Sequence, residues 1–165
     1  MLFRRSGLER VGGFDATFEQ AADVEWVLRL ALMGYESTWV PRITVHYRQH
    51  EGNASRAVQR QVRECERVLD RVFQESRLSA ELHHLEAQAR YNNLVWSAWR
   101  LYRVGQLALM RDYLGRSLRY RSQSKTETIL DWINCLERYE QEYGTRLNIE
   151  RLMNSVEWQN LVAIV

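Results

Sequence analysis

The hydrophobic positions of this chain follow two regimes that meet at Ser55. Before it, elements are short and punctuated. Leu2-Phe3-Arg4 reads as the end of a strand, and Ser6-Gly7-Leu8-Glu9 has the spacing of a capping box, so a short helix is expected from there until Gly12-Gly13 stops it. From Asp23 to Met33 the period is helical, with Val24, Val27, Leu28 and Ala31 on one face, Asp23 placed to cap the free amides and Gly34 closing the end. Ser37 to Val40 and Ile43 to Tyr47 are β-branched and aromatic, which predicts two short strands separated by Pro41-Arg42. Gly52-Asn53 turns the chain again.

Beyond Ser55 only helical spacing remains. Val58, Val62, Cys65, Leu69 and Val72 form a heptad-like seam to about Gln74. Ser79 is placed to cap a helix running to about Val104, with Leu85, Ala89 and Trp96 on one side and Tyr91, Leu94, Val95, Ala98 and Leu101 on another. An element apolar on two sides is expected to be the most buried. Gly105 breaks it, and Leu107, Met110, Leu114 and Leu118 mark the next helix, so Tyr91 to Tyr120 reads as a helical hairpin. Ser124-Lys125-Thr126-Glu127 is a second capping box, opening a helix with Ile129, Ile133, Leu136 and Tyr143 that Gly144 ends. Asn148 would cap a last helix with Leu152, Val156 and Leu161. The expected class is mainly α within α+β: a small strand-containing segment over residues 1–55, then an antiparallel bundle of about five helices over residues 56–165.

Composition narrows this further. The 165 residues fit one domain or a small unit with an appendage, and 45% hydrophobic residues can fill a core. Cys65 and Cys135 are far apart without CxxC spacing, which predicts reduced thiols and a reducing, cytoplasmic setting. Arg4 and Arg5 precede no apolar signal-peptide core, and no apolar run reaches the ~18 residues of a membrane span. A net charge of +2 does not call for a polyanion. Of 23 basic residues only Lys125 is lysine. Arginine binds phosphates and carboxylates in a bidentate manner, although codon bias gives the same excess.

Candidate chemistry concentrates before Ser55. Asp23 and Glu25 flank Val24, and oxygen pairs of this kind suit hard cations. Two residues apart on a helix they point about 200° away from each other at ~100° per residue, so one of them, Asp23, is expected to face a ligand; the bland alternative is a helix cap. Strand alternation would put His46, Arg48 and His50 on one face, suited to a phosphate or metal-bound diphosphate, or else form a solvated edge.

Taken together, Phe3-Arg4-Arg5, Val11-Gly12-Gly13-Phe14-Asp15, Asp23-Val24-Glu25-Trp26-Val27-Leu28-Arg29-Leu30, Gly34 and Tyr47-Arg48-Gln49-His50-Glu51-Gly52-Asn53-Ala54-Ser55 resemble the family-2 glycosyltransferases. The likeness is to the C-terminal part of their GT-A catalytic domain and covers about residues 1–55, with a helical tail of the kind members often append. It implies an inverting transfer of sugar from a nucleotide-sugar donor to a saccharide or lipid-linked acceptor, with a divalent metal, Mn or Mg. Asp23 would be the base that deprotonates the acceptor hydroxyl. Gly12, Gly13 and Asp15 would shape the acceptor loop. Glu25, Arg29 and Arg48 would lie on the acceptor and leaving-group side, and His50 near metal and diphosphate. The family's acidic block usually reads Glu-Asp-x-Asp-Leu; here Ala22 replaces the first acid. The family's nucleotide-binding half, with its Asp-x-Asp, has no counterpart in the sequence, so the resemblance implies a fragment that is inactive without that half and has a strand edge prone to self-association.

The tail carries a charge asymmetry. Arg100 to Lys125 holds seven basic residues against Asp112 alone, whereas Thr126 to Val165 holds seven acids and three arginines. The basic stretch would suit contact with an anionic membrane surface, at roughly 1 kcal/mol per residue, or pairing with the acidic helices that follow. No nucleic-acid recognition motif accompanies it. The alternative to the transferase reading is a non-catalytic helical protein-interaction module built on residues 56–165.

Overall fold

The computed structural model describes residues 3–38, 40–42, 57–76 and 78–165. Two compact units divide the chain, 1–78 and 79–165. The first holds α1 (Arg5–Val11), α2 (Ala22–Leu32) and α3 (Val58–Phe73). The change of periodicity at Ser55 is therefore not where the contacts divide: α3 packs on α2 and belongs with the N-terminal residues.

The helix starts differ from expectation in an instructive way. α1 begins at Arg5 after an extended Arg4, with no side-chain cap, so Ser6 lies inside the first turn. α2 begins at Ala22 after Ala21, again with no side-chain cap of its own; Asp23 stands one residue inside and its Oδ1 accepts the Val24 N–H at 2.9 Å. The buried face of α2 is also rotated. Val24 is exposed, whereas Trp26 and Glu25 are buried and Leu28 is half-buried. A small core joins Phe18, Ala21 and Val68, with Ala22, Leu28 and Cys65 packed against it. Val58, Val62, Glu64 and Val68 are the buried residues of α3, while Leu69 and Val72 are half-buried. Gly34 ends α2 as expected, at a φ of 78°.

Among the described residues no strand occurs. Phe3-Arg4 and the described part of Ser37–Val40 are irregular, which corrects the strand-containing segment expected there; Ile43–Tyr47 lie outside the described residues. β-branched composition favours a strand only where a neighbouring strand can take its hydrogen bonds, and none is present here among the described residues. The mainly helical class stands.

The second unit holds α4 (Ala80–His83), α5 (Glu86–Arg103), α6 (Leu107–Ser117) with a 3-10 turn at Leu118–Tyr120, α7 (Lys125–Glu142), α8 (Ile149–Met153) and α9 (Val156–Ile164). Ser79 caps as expected, accepting the Leu82 N–H, but the helix stops at His83 and restarts after an exposed Leu85. The terminal helix also divides, with Asn148 capping α8 and Ser155 capping α9. The Ser124–Glu127 capping box is formed in both directions. α5 is the hub. It packs on α6 and α7, α6 packs on α9, and Leu94, Val95, Ala98, Trp99 and Leu101 are buried along it.

Aromatic residues fill this core, and their polar atoms find partners as burial demands. Trp132 donates to Ser117 Oγ at 3.1 Å and meets Trp158 edge to face at 6.3 Å. Trp99 donates to the buried Glu140 carboxylate at 3.0 Å, which Thr145 also reaches. Tyr91 donates to Asp131 Oδ2 at 2.7 Å; burial and that carboxylate both push its phenol far above the usual range. Cys65 and Cys135 are half-buried thiols outside any disulfide, and burial raises the Cys135 thiol. No helix among the described residues is long and apolar enough to cross a membrane.

Candidate functional site

The chemistry of the first unit gathers where the loop after α1 crosses α2 and α3. Gly12 takes a φ of 83°, which a side chain would oppose, and so turns the chain sharply. Three anchors then fix the loop. Trp26 donates its indole N–H to Gly12 O at 2.7 Å, with Phe3 and Phe14 edge-on to its ring at 4.4 and 5.7 Å. Arg29 donates to Val11 O at 2.6 Å and to Gly13 O at 2.8 Å, while its Nε and Nη2 both reach the Glu25 carboxylate at 2.9 Å. Arg71 of α3 donates from Nη1 to Asp15 Oδ2 at 2.7 Å and to Glu25 Oε1 at 3.1 Å.

The result is an alternating set of two carboxylates and two guanidinium groups. Glu25 is its buried centre, with 2% of its side chain exposed, while Arg29 and Arg71 extend into water. A buried carboxylate is tolerable only when paired and hydrogen-bonded, and this one has three charge-assisted contacts. The Arg71 bond and the Thr17 N–H on Oδ1 hold the Asp15 carboxyl well below the usual range. That pairing supports the folded loop above the ordinary carboxylate range, and the support is lost as the pH falls from that range through the lowered folded-state value.

A second anchorage lies at the start of α2. Glu64 of α3 is buried, and its Oε2 accepts the N–H groups of Gln20 at 2.7 Å and Ala21 at 3.0 Å. The capping carboxylate that Asp23 was expected to supply thus comes from another helix. Above it, Arg67 and Arg71 lie over the Phe18 ring at 4.6 and 4.9 Å. Glu64→Ala is expected to cost about 2 kcal/mol of unfolding free energy, because two amides lose a charged acceptor. Glu64→Gln, which keeps an acceptor oxygen, should cost about half as much or less. Urea unfolding of the two variants checks the ordering; equal costs would contradict it.

Of the residues singled out from sequence, the structure therefore brings together Gly12, Gly13, Asp15, Glu25 and Arg29. Asp23 stands apart, exposed on the first turn of α2, and it is Glu25 rather than Asp23 that turns toward the loop. Arg48 and His50 lie outside the described residues. Glu64 and Arg71 were not legible as site residues; their place in an ordinary amphipathic seam gave no signal. Ala22, where the resembling family carries an acid, packs against the Phe18–Ala21–Val68 core. A methyl group suits that position and a carboxylate would not.

Beside the network is a pocket of about 250 Å³ lined by Gly13, Asp15, Glu25, Arg29, Leu32, Val68, Arg71, Val72 and Glu75. Leu32, Val68 and Val72 give it aliphatic lining, and Asp15, Glu25, Arg29, Arg71 and Glu75 charged lining. The nearby carboxylates do not make a cation site, since Asp15 and Glu25 are already matched by guanidinium groups. No cluster of three or more His, Cys, Asp or Glu that would hold a metal ion occurs among the described residues. The chain matches no protein-family model, no curated protein and no solved structure.

Proposed function

We propose that this chain carries the acceptor and leaving-group side of an inverting glycosyltransferase site, which takes a sugar from a nucleotide-sugar donor to a hydroxyl acceptor. The observation that supports the reading is the fastening of the Gly12–Asp15 loop to the same helix that presents Asp23. Catalysis by positioning needs the acceptor and its base held in one rigid frame. Arg29 and Trp26, both on the helix of Asp23, grip the loop by its carbonyls, so loop and base are placed relative to each other.

In this reading Asp23 takes the proton from the acceptor hydroxyl as its oxygen attacks the anomeric carbon, and the nucleoside diphosphate departs from the opposite face. Asp23 is suited to that role because its carboxylate faces solvent and is not held by a guanidinium group among the described residues. Glu25 is not suited to it, since its carboxylate is buried and paired with Arg29 and Arg71.

The test is to supply a family-2 nucleotide-binding half in trans and titrate the pair with nucleotide sugars and manganese. Donor binding and transfer are expected from the pair, and Asp23→Asn should lower kcat by about a hundredfold or more with donor affinity kept. A pair that binds no donor, or an Asp23→Asn variant that turns over like the parent, would sink the proposal. The competing reading, a helical interaction module, is favoured by one feature of the second unit: Val156 and Ile164 of α9 are 64% and 73% exposed.

A further inference from the structure

We propose that Arg71 is a positioning residue for the acceptor side of this site. The inference rests on the transferase reading above, and it assigns a site role to a residue of α3, outside the run that resembles the family.

The loop from Gly12 to Asp15 has two kinds of anchor. Trp26 and Arg29 hold its backbone through carbonyl oxygens, which fixes where the chain runs but leaves Asp15 free to rotate. Arg71 acts on the side chain. Its Nη1 bonds Asp15 Oδ2 at 2.7 Å while the other oxygen, Oδ1, takes the Thr17 N–H at 2.8 Å. Both carboxylate oxygens are thereby engaged and the group is held in one orientation.

Arg71 is itself held from two directions. The same Nη1 lies 3.1 Å from Glu25 Oε1, and the guanidinium lies over the Phe18 ring at 4.9 Å. A planar guanidinium can stack and bond at once, which the compact ammonium of lysine does less well. Asp15 and Arg71 both line the 250 Å³ pocket, so this bond ties the loop side of the pocket to its α3 side. Releasing it would leave the reacting groups in place and loosen the wall against which an acceptor would rest. That predicts a defect in acceptor binding rather than in the chemical step.

The experiment uses the full chain. The Asp15 carboxyl is followed by carbon-detected NMR as a function of pH in the parent, Arg71→Met and Arg71→Lys proteins. Steady-state kinetics are then measured with the supplied nucleotide-binding half, a nucleotide sugar and manganese. In Arg71→Met the Asp15 carboxyl is expected to titrate at least about one pH unit higher, acceptor KM to rise about tenfold, and kcat to change less than about threefold. Arg71→Lys, which keeps the charge and is the safer variant for folding, should recover part of both effects.

An Asp15 titration that does not move in Arg71→Met overturns the proposal whatever the kinetics show. A loss confined to kcat overturns the acceptor role. If Asp15 responds as expected but the parent pair transfers no sugar, the transferase reading falls and takes the acceptor role with it, while the hold of Arg71 on Asp15 stands as a structural contact.

Discussion

Glu25→Ala is expected to destabilise the N-terminal unit by about 3 kcal/mol, the largest effect of any single charge removal in it. The side chain is 2% exposed and joins Arg29 to Arg71, so its loss leaves two like charges facing each other across the site. Removing one partner of a fully buried pair costs about 3–5 kcal/mol, and the lower end applies because both guanidinium groups extend far enough to be hydrated. The loop suffers as well. Arg29 bonds the Val11 and Gly13 carbonyls while its Nε and second Nη2 contact rest on Glu25, and without that carboxylate only the two carbonyl bonds still orient it. Urea unfolding gives the free energy, and hydrogen exchange of the Gly12 and Gly13 amides reports the loop. A loss below about 1 kcal/mol, the level of an ordinary surface change, would mean that the network does not hold the unit together.

Trp132→Ala should cost the second unit about 3–5 kcal/mol. The indole is fully buried, donates to Ser117 Oγ and packs edge to face on Trp158. Truncation leaves a cavity between α6, α7 and α9 that none of these helices can close without shifting. Trp132→Phe separates the terms. It keeps most of the apolar volume, and Ser117 Oγ keeps its own bond to Leu114 O at 2.7 Å, so no buried group is stranded. A cost of about 1–2 kcal/mol is expected, near that of one hydrogen bond. Denaturant midpoints at unchanged slope give both values, and an alanine variant no less stable than the phenylalanine one would be inconsistent with a packed Trp132.

The sequence was most readable where one residue decides its own backbone. The helices after Val11, Leu32, Arg103 and Glu142 end at or next to Gly12, Gly34, Gly105 and Gly144, and Ser79, Ser124 and Asn148 cap as their spacing suggested. It was less readable where a partner far along the chain decides. The start of α2 looked like a self-capped helix because Asp23 is adjacent, but the acceptor is Glu64, 43 residues from Ala21. The face of α2 was misjudged for a related reason. A charged Glu25 and a bulky Trp26 do not score as a buried pair, yet Arg29, Arg71 and the Gly12 carbonyl make their burial favourable. Ser37–Val40 shows the limit of local propensity: its composition suits a strand, and among the described residues no other strand lies beside it.

The candidate site divides along the same line. Gly12, Gly13, Asp15, Glu25 and Arg29 are residues that the resemblance implies for the acceptor side, and they converge. Arg71 and Glu64 look like any arginine and glutamate on a charged helix. Only the fold shows that one orients Asp15 and the other holds the two amides ahead of Asp23.

The reach of Arg71 back to Glu25, 46 residues earlier, also sets an order of events during synthesis. The N-terminal unit cannot close when its first two helices leave the ribosome, because the cation that joins Asp15 to Glu25 has not yet been made. At about 5–20 residues per second, translation of those 46 residues takes roughly 2–9 s. For that interval Glu25 lacks Arg71 and the Phe18 ring lacks Val68, Arg67 and Arg71. A chaperone that shields short apolar segments, or a slow stretch of codons placed after residue 73 rather than before it, would therefore raise the yield of folded protein.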